Sequence, residues 1–225
     1  VTDDASVASA VEFVKADLQK RGNLALAGLV NNAGVSTGKS VEFTSVEDWK
    51  WLHDVNVFGV IRCTQAFLPL LRQGKGRIVQ MSSIAGLMSG PLGAPYSSSK
   101  WALEATSHAL RQELYPQGIS VSVVNPGMVK SEIVGKQDLT MKNPNESKLY
   151  GMFFNLEMFK PMVEKADSPI VTSEAIEHAL VSQYPKAQYV VANVDGTPAW
   201  VIVRMVWLLP SYAMDKLSRS MLQIE

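Results

Sequence analysis

Tyr96 and Lys100 stand four residues apart in the run Tyr96-Ser97-Ser98-Ser99-Lys100. On a helix, positions i and i+4 lie one above the other on a single face. An ammonium that close to a phenol stabilises the phenolate and lowers the tyrosine pKa toward a value useful for proton transfer. The alternative is a tyrosine resting on a lysine stem, and the pair alone does not decide between them. Ser83 lies thirteen residues before Tyr96, at the end of an apolar run, where its hydroxyl would face the same cleft. Its neighbour Ser82 is the rival for that place. Asn56, in Asp54-Val55-Asn56-Val57-Phe58-Gly59, falls inside a helical pattern although Asn is a poor helix former. It stands there either at a cost in propensity or as a member of a hydrogen-bond relay. Asn31-Asn32-Ala33-Gly34 provides a turn whose glycine permits close approach or positive φ.

These residues need elements to hold them. Thr2 caps a first helix with Asp3 and Asp4 in its opening turn, and Val7, Val11, Val14 and Leu18 recur at helical spacing until Gly22. Leu24 to Val30 reads as a buried strand that breaks into Asn31. Thr44 and Glu47 stand at capping-box spacing before a long helix from Val46 to Leu71. Gly74-Lys75-Gly76 is a turn, and the strand Arg77 to Met81 ends in Ser82-Ser83. Pro95 precedes a helix from Tyr96 to Leu114, and the β-branched strand Ile119 to Val124 ends in Asn125-Pro126-Gly127. Thr172 to Ser182 is a helix and Gln188 to Ala192 a last strand. Strands alternating with helices predict an α/β chain whose parallel sheet is covered on both faces. Ligands of such sheets sit outside the carboxyl ends of the strands, where the Asn31, Ser83 and Asn125 clusters converge.

Composition excludes several classes. The 225 residues are 47% hydrophobic and 19% charged, unlike a disordered tail, a collagen-like chain or a disulfide-dense mini-domain. Twenty-one basic residues balance 21 acidic ones, so no global basic field points to nucleic acid. Cys63 is the only cysteine, which removes internal disulfides and multi-cysteine metal sites. It fits a reducing compartment, and the expected location is the cytosol or the cytoplasmic side of a membrane. His53, His108 and His178 lack the spacing of a zinc site, so no metal is expected. No run of 18 apolar residues is present.

In order along the chain, these segments resemble the short-chain dehydrogenase/reductase family, from residue 1 to roughly 195. The resemblance implies a Rossmann-like doubly wound parallel sheet and an NAD- or NADP-dependent oxidoreductase that interconverts an alcohol and its carbonyl, without choosing between the two cofactors. It implies that Tyr96 is the acid/base, that Lys100 lowers its pKa and holds the nicotinamide ribose, and that Ser83 orients the substrate oxygen. Asn56 would hold a water linking Lys100 to solvent. Asn31, Ala33, Gly34, Pro126, Gly127 and Val129 would meet the cofactor, with Ser131 where the family usually has a Thr against the nicotinamide carboxamide. Family members commonly pair through the helices beginning near Thr44 and Tyr96, so a homodimer or homotetramer is expected. Trp101, Ala102 and Ala105 then form a core or subunit contact.

The chain departs from the family in lacking the Thr-Gly-x₃-Gly-x-Gly turn that brings backbone to a pyrophosphate. The N-terminal strand–helix units are absent, and the expectation is a fragment, with roughly 50 to 60 upstream residues belonging to it. On the family's strand order, 3-2-1-4-5-6-7, the Leu24 to Val30 strand is then left with an unpaired edge and dinucleotide binding is poor. The rest reads as a single domain over 1–225, with a substrate loop at 132–168 and a C-terminal extension at 197–225. Met141, Leu149, Tyr150, Met152, Phe153, Phe154, Leu156, Met158, Phe159 and Met162 either line a pocket for a hydrophobic substrate or form the core of two short helices. The pattern is similar to retinol- and hydroxysteroid-dehydrogenase branches. Residues 200–222 would cap the cleft, pair subunits or lie on a membrane surface. The rival function is a non-catalytic binding or scaffold protein that kept the fold without the cofactor turn.

Overall fold

The computed structural model describes residues 1–135, 143–153 and 163–221. Helix α1 (Asp4–Lys20) is capped by Asp3, whose carboxylate accepts from the Ser6 amide at 2.5 Å. The expected cap, Thr2, lies one residue outside, because the charged acceptor also complements the helix dipole. Of the apolar stripe only Val7 is fully buried, and α1 packs on the helix that precedes the second strand.

The expected strand over Leu24–Val30 is corrected to β1 at Gly28–Asn31. Its parallel partner β2 (Arg77–Met81) begins opposite Gly28, so upstream residues have no ladder to join. The expected helix Val46–Leu71 comprises α2 (Val46–His53), a π-helical turn (Asp54–Phe58) and α3 (Gly59–Gly74). Ser45 caps it by accepting from the Asp48 amide at 3.0 Å, while the Thr44 hydroxyl instead donates to the Ser40 carbonyl. The π turn widens the helix at Asn56 and Val57, both buried.

Ser83 caps a 3₁₀ turn (Ile84–Gly86), and α4 (Ala94–Leu114) carries Pro95 in its first turn. After a 3₁₀ turn at Tyr115–Gln117 comes β3 (Ser120–Pro126). Short helices α5 (Glu132–Gly135) and α6 (Pro144–Tyr150) and a 3₁₀ turn (Gly151–Phe153) lead to α7 (Ile170–Val181) and β4 (Gln188–Val191). A small antiparallel ladder of β5 (Asn193–Val194) and β6 (Thr197–Pro198) precedes α8 (Ala199–Leu208) and α9 (Ser211–Met221). That ladder had no counterpart in the sequence reading.

Strands β1 to β4 form a parallel sheet in the order β1-β2-β3-β4. Alternation sends Leu29, Ile78 and Val121 to one face, against Leu71 of α3 and Leu114 of α4. Val30, Val79, Val124 and Tyr189 go to the other, against Ala175 and Ala179 of α7. Both faces are thus covered, as doubly wound sheets require. Trp207 of α8 stacks on Trp101 of α4, with ring centroids 6.4 Å apart, and its indole donates to the Leu87 carbonyl at 3.2 Å. The Trp101 face is therefore partly covered by the chain's own α8. Among the described residues no helix is long and apolar enough to cross a membrane.

Candidate active site

The carboxyl ends of β2 and β3 and the first turns of α4 enclose a cleft of about 460 Å³. Ser83, Tyr96, Pro126, Gly127, Val129 and Ser131 all line it. The Ser83 backbone is extended, and its hydroxyl oxygen accepts from the Ala85 amide at 3.1 Å. Strand β2 stops there because this side chain caps the following turn. Ser82 is almost fully buried and also lines the cleft, its hydroxyl without a hydrogen-bond partner among the described residues, while it is Ser83 whose side chain acts on the Tyr96 phenol.

Burial pushes the Tyr96 phenol up from its ordinary value, and a side-chain hydrogen bond with Ser83 offsets part of that rise. The Lys100 ammonium lies 5.6 Å from the Tyr96 ring centroid and donates to the Met81 carbonyl at 2.8 Å. Desolvation lowers Lys100 to about 8, against an opposing pull from Glu104. Helical i, i+4 spacing on α4 does place the two side chains together, as expected.

Behind Lys100 stands Asn56, wholly buried in the π turn. Its Oδ1 accepts from the Val35 amide at 2.9 Å, and its Nδ2 donates to the Val35 carbonyl at 2.8 Å and to Ser99 Oγ at 3.0 Å. Both amide hydrogens are engaged, and one carbonyl lone pair remains open. A first side-chain carbon at Gly34 would sit 3.4 Å from Asn56 Oδ1 and 3.6 Å from Lys100 Nζ. The Asn32–Gly34 turn, Ala33 within it, therefore abuts Asn56 and Lys100. Asn31 behaves differently. Its side chain donates to Thr64 Oγ1 at 3.0 Å and Gln80 Oε1 at 2.9 Å, so the amide serves the sheet and leaves only backbone for a ligand.

Several lining residues escaped the sequence reading. Thr37 lies on the wall facing Tyr96, and its buried hydroxyl has no partner among the described residues. Leu92, at φ +60, projects from a turn on the rim, a conformation a leucine adopts only under tertiary constraint. The Gly90-Pro91-Leu92-Gly93 run was a signal for that turn. Ile133 and Val163 bring apolar surface from the 132–168 segment. Leu149, Tyr150 and Phe153, read either as pocket lining or as the core of two short helices, are not on its walls. Leu149 is half exposed, and the Tyr150 ring packs on Phe43 and Phe153 while its hydroxyl donates to Glu42 at 2.7 Å. Met141, Phe154, Leu156, Met158, Phe159, Met162 and the side chain of Met152 lie outside the described residues.

Residues 1–142 match the family model described as short chain dehydrogenase. The NADPH-dependent 3-dehydrocapnine reductase of Ornithobacterium rhinotracheale is 37% identical, over 96% of this chain and 76% of that protein. The mitochondrial D-beta-hydroxybutyrate dehydrogenase of Rattus norvegicus is 48% identical over 56% of this chain, which spans only 37% of that relative's length. A crystal structure of a short-chain dehydrogenase from Streptomyces avermitilis superposes with a TM-score of 0.74 at 27% identity, covering 97% of this chain and 75% of that one. A serine, a tyrosine and a buried lysine gathered at the carboxyl edge of a parallel sheet, in a chain with these relatives, leave one conclusion: it belongs to the short-chain dehydrogenase family.

Proposed function

We propose that the protein is an NAD(P)-dependent oxidoreductase interconverting an alcohol and its carbonyl on a neutral, hydrophobic substrate, with Tyr96 as the acid/base. The observation that carries this reading is the meeting of Ser83 and Tyr96 on one cleft wall with the Lys100 ammonium directly behind. Family membership brings NAD or NADP with it. The groups present suit the nicotinamide end: the Lys100 ammonium, the Tyr96 and Ser131 side chains and the Val129 backbone, with the Gly127 and Met128 amides already donating to the Val191 and Asn193 carbonyls. Bound there, the nicotinamide supplies the hydride chemistry.

The chain's own groups move and place the proton. The Tyr96 hydroxyl exchanges a proton with the substrate oxygen, and Ser83 hydrogen-bonds that oxygen and fixes its distance. Because burial disfavours the phenolate, a nearby ammonium and a serine donor have to offset that cost as charge develops. Asn56 holds the Val35 backbone against Lys100 and offers its remaining lone pair to a relay water.

The walls support the substrate half of this reading. Among the described residues, no Lys, Arg, His, Asp or Glu lines the cleft. A retinoid-, steroid- or lipid-like alcohol would bury its chain against Leu92, Ile133 and Val163. Exposed Trp51 and Phe58 on α2 and the π turn support self-association into a dimer or tetramer, and exposed Trp200, Leu208 and Tyr212 support an interfacial contact at the C-terminus.

The test is a panel of retinol, a hydroxysteroid and 3-hydroxybutyrate, each with NAD⁺ and NADP⁺, followed by nicotinamide absorbance. Turnover of the hydrophobic alcohols supports the reading, and preference for 3-hydroxybutyrate removes its substrate half. Absence of turnover of every alcohol with either cofactor removes the alcohol–carbonyl reading.

A further inference from the structure

Glu104 sits one helical turn beyond Lys100 on α4, outside the cleft. Its carboxylate accepts from Asn125 Nδ2 at 2.5 Å, and the same nitrogen donates to the Ser83 carbonyl at 3.0 Å. Asn125 is wholly buried, so one amide joins the end of β2 to α4. The buried Ser82 side chain stands near the same carboxylate. A Cβ at Gly86 would meet Ser82 Oγ at 2.9 Å, the Lys100 carbonyl at 3.0 Å and Glu104 Cγ at 3.1 Å. The 3₁₀ turn is therefore pressed onto this face of α4, with no side chain between.

We propose that Glu104 is a positioning residue for the reaction: it is the counter-charge that keeps the Lys100 ammonium protonated beside Tyr96, and through Asn125 it ties the Ser82–Ser83 strand end to α4. Desolvation alone drives Lys100 toward neutrality, and the pull of Glu104 opposes it. The Glu104 carboxyl is itself raised by burial, while the nearby Ser82 hydroxyl, the hydrogen bond from Asn125 and the charges of Lys100 and Arg111 act the other way. Every one of those partners favours the carboxylate. The groups around Lys100 on its own helix are Tyr96 and Glu104. Strand β2 brings the Met81 carbonyl, and the π turn brings Asn56. Around Glu104 stand Lys100 and Arg111, with His108 in the same outer cleft among the described residues.

The inference rests on the proposed function only for its consequence in turnover. Its direct test needs no substrate: protein labelled with ¹³C at the lysine ε carbons is titrated by NMR, with the Lys100 signal identified by its loss in Lys100→Arg. The native midpoint is expected near 8. In Glu104→Gln, which keeps an acceptor for Asn125 but no charge, the midpoint falls by about one unit or more. Glu104→Asp restores the charge and recovers part of the shift. A native midpoint in Glu104→Gln, with melting unchanged, overturns the proposal and leaves Glu104 a hydrogen-bond acceptor only. If Glu104→Gln does not fold, Glu104→Asn supplies the same neutral comparison with the same two outcomes. A protein that titrates as expected yet turns nothing over keeps this inference and loses the proposed function.

Discussion

Asn56 clamps both backbone groups of Val35, accepting from its amide at 2.9 Å and donating to its carbonyl at 2.8 Å. This two-point grip joins the widened turn between α2 and α3 to the loop that follows β1. It lays Gly34 against Lys100 and gives a physical reason for an asparagine inside a helix. Propensity is sacrificed where a side-chain amide can satisfy a loop that has no secondary structure of its own.

Asn56→Ala should therefore orphan the Val35 amide and carbonyl, at about 1–3 kcal/mol for each buried group left unpaired. Urea denaturation measures the loss, and hydrogen exchange should show the Val35 amide opening before the sheet does. Unchanged protection at Val35 would show that the loop is held by something else.

Tyr96→Phe removes one hydroxyl from a ring on the cleft wall, where Ser83 is the side chain that acts on it. Turnover should fall by about 10²- to 10⁴-fold, the usual contribution of a positioned acid/base. Melting temperature and dinucleotide affinity should stay close to native. A variant that retains most of its turnover would remove Tyr96 from the mechanism.

Lys100 gives a pH signature in stability. Its folded value is about 8 against an ordinary 10.5, so between those limits the unfolded chain holds a proton the folded chain has lost. Stability then rises with pH across that window, and the full cost, on the order of 3 kcal/mol, is present below it. Lys100→Met should abolish this rise. The slope between pH 8 and 10.5 is the readout, because the variant also leaves Glu104 without its partner. Equal slopes in native and variant protein would mean Lys100 does not titrate there.

Gly127 tests the far wall. An added Cβ would come within 2.7 Å of the Asn193 carbonyl and 3.1 Å of Ala199 Cβ, and neither backbone nor a buried alanine can swing away. Gly127→Ala should cost about 1–3 kcal/mol. It should also loosen the start of α8, which is anchored by the Ala199 amide on the Ala192 carbonyl at 3.0 Å. A native melting temperature would show that the β5–α8 corner yields at little cost.

Local patterning was enough to read the alternation of strands and helices, the parallel sheet and the spacing of Tyr96 and Lys100 on one helix face, because each depends on neighbours a few residues apart. Ser83, Pro126 and Gly127 were legible for the same reason, since strand ends are marked by turn residues, whereas Val129 and Ser131 came from the family resemblance. What sequence could not supply was set by contacts between distant segments. The first strand begins at Gly28 because β2 offers no partner earlier, the capping of α2 passes from Thr44 to Ser45 because Ser40 takes the Thr44 hydroxyl, and the helix widens at Asn56 because Val35 must be bound. Asn31 turns into the sheet toward Thr64 and Gln80, and Trp207 settles on Trp101. The direction of the Tyr96 shift belongs with these. Helical spacing brings a cation near, but only the packed fold determines how much water the phenol loses and that the ammonium turns to the Met81 carbonyl.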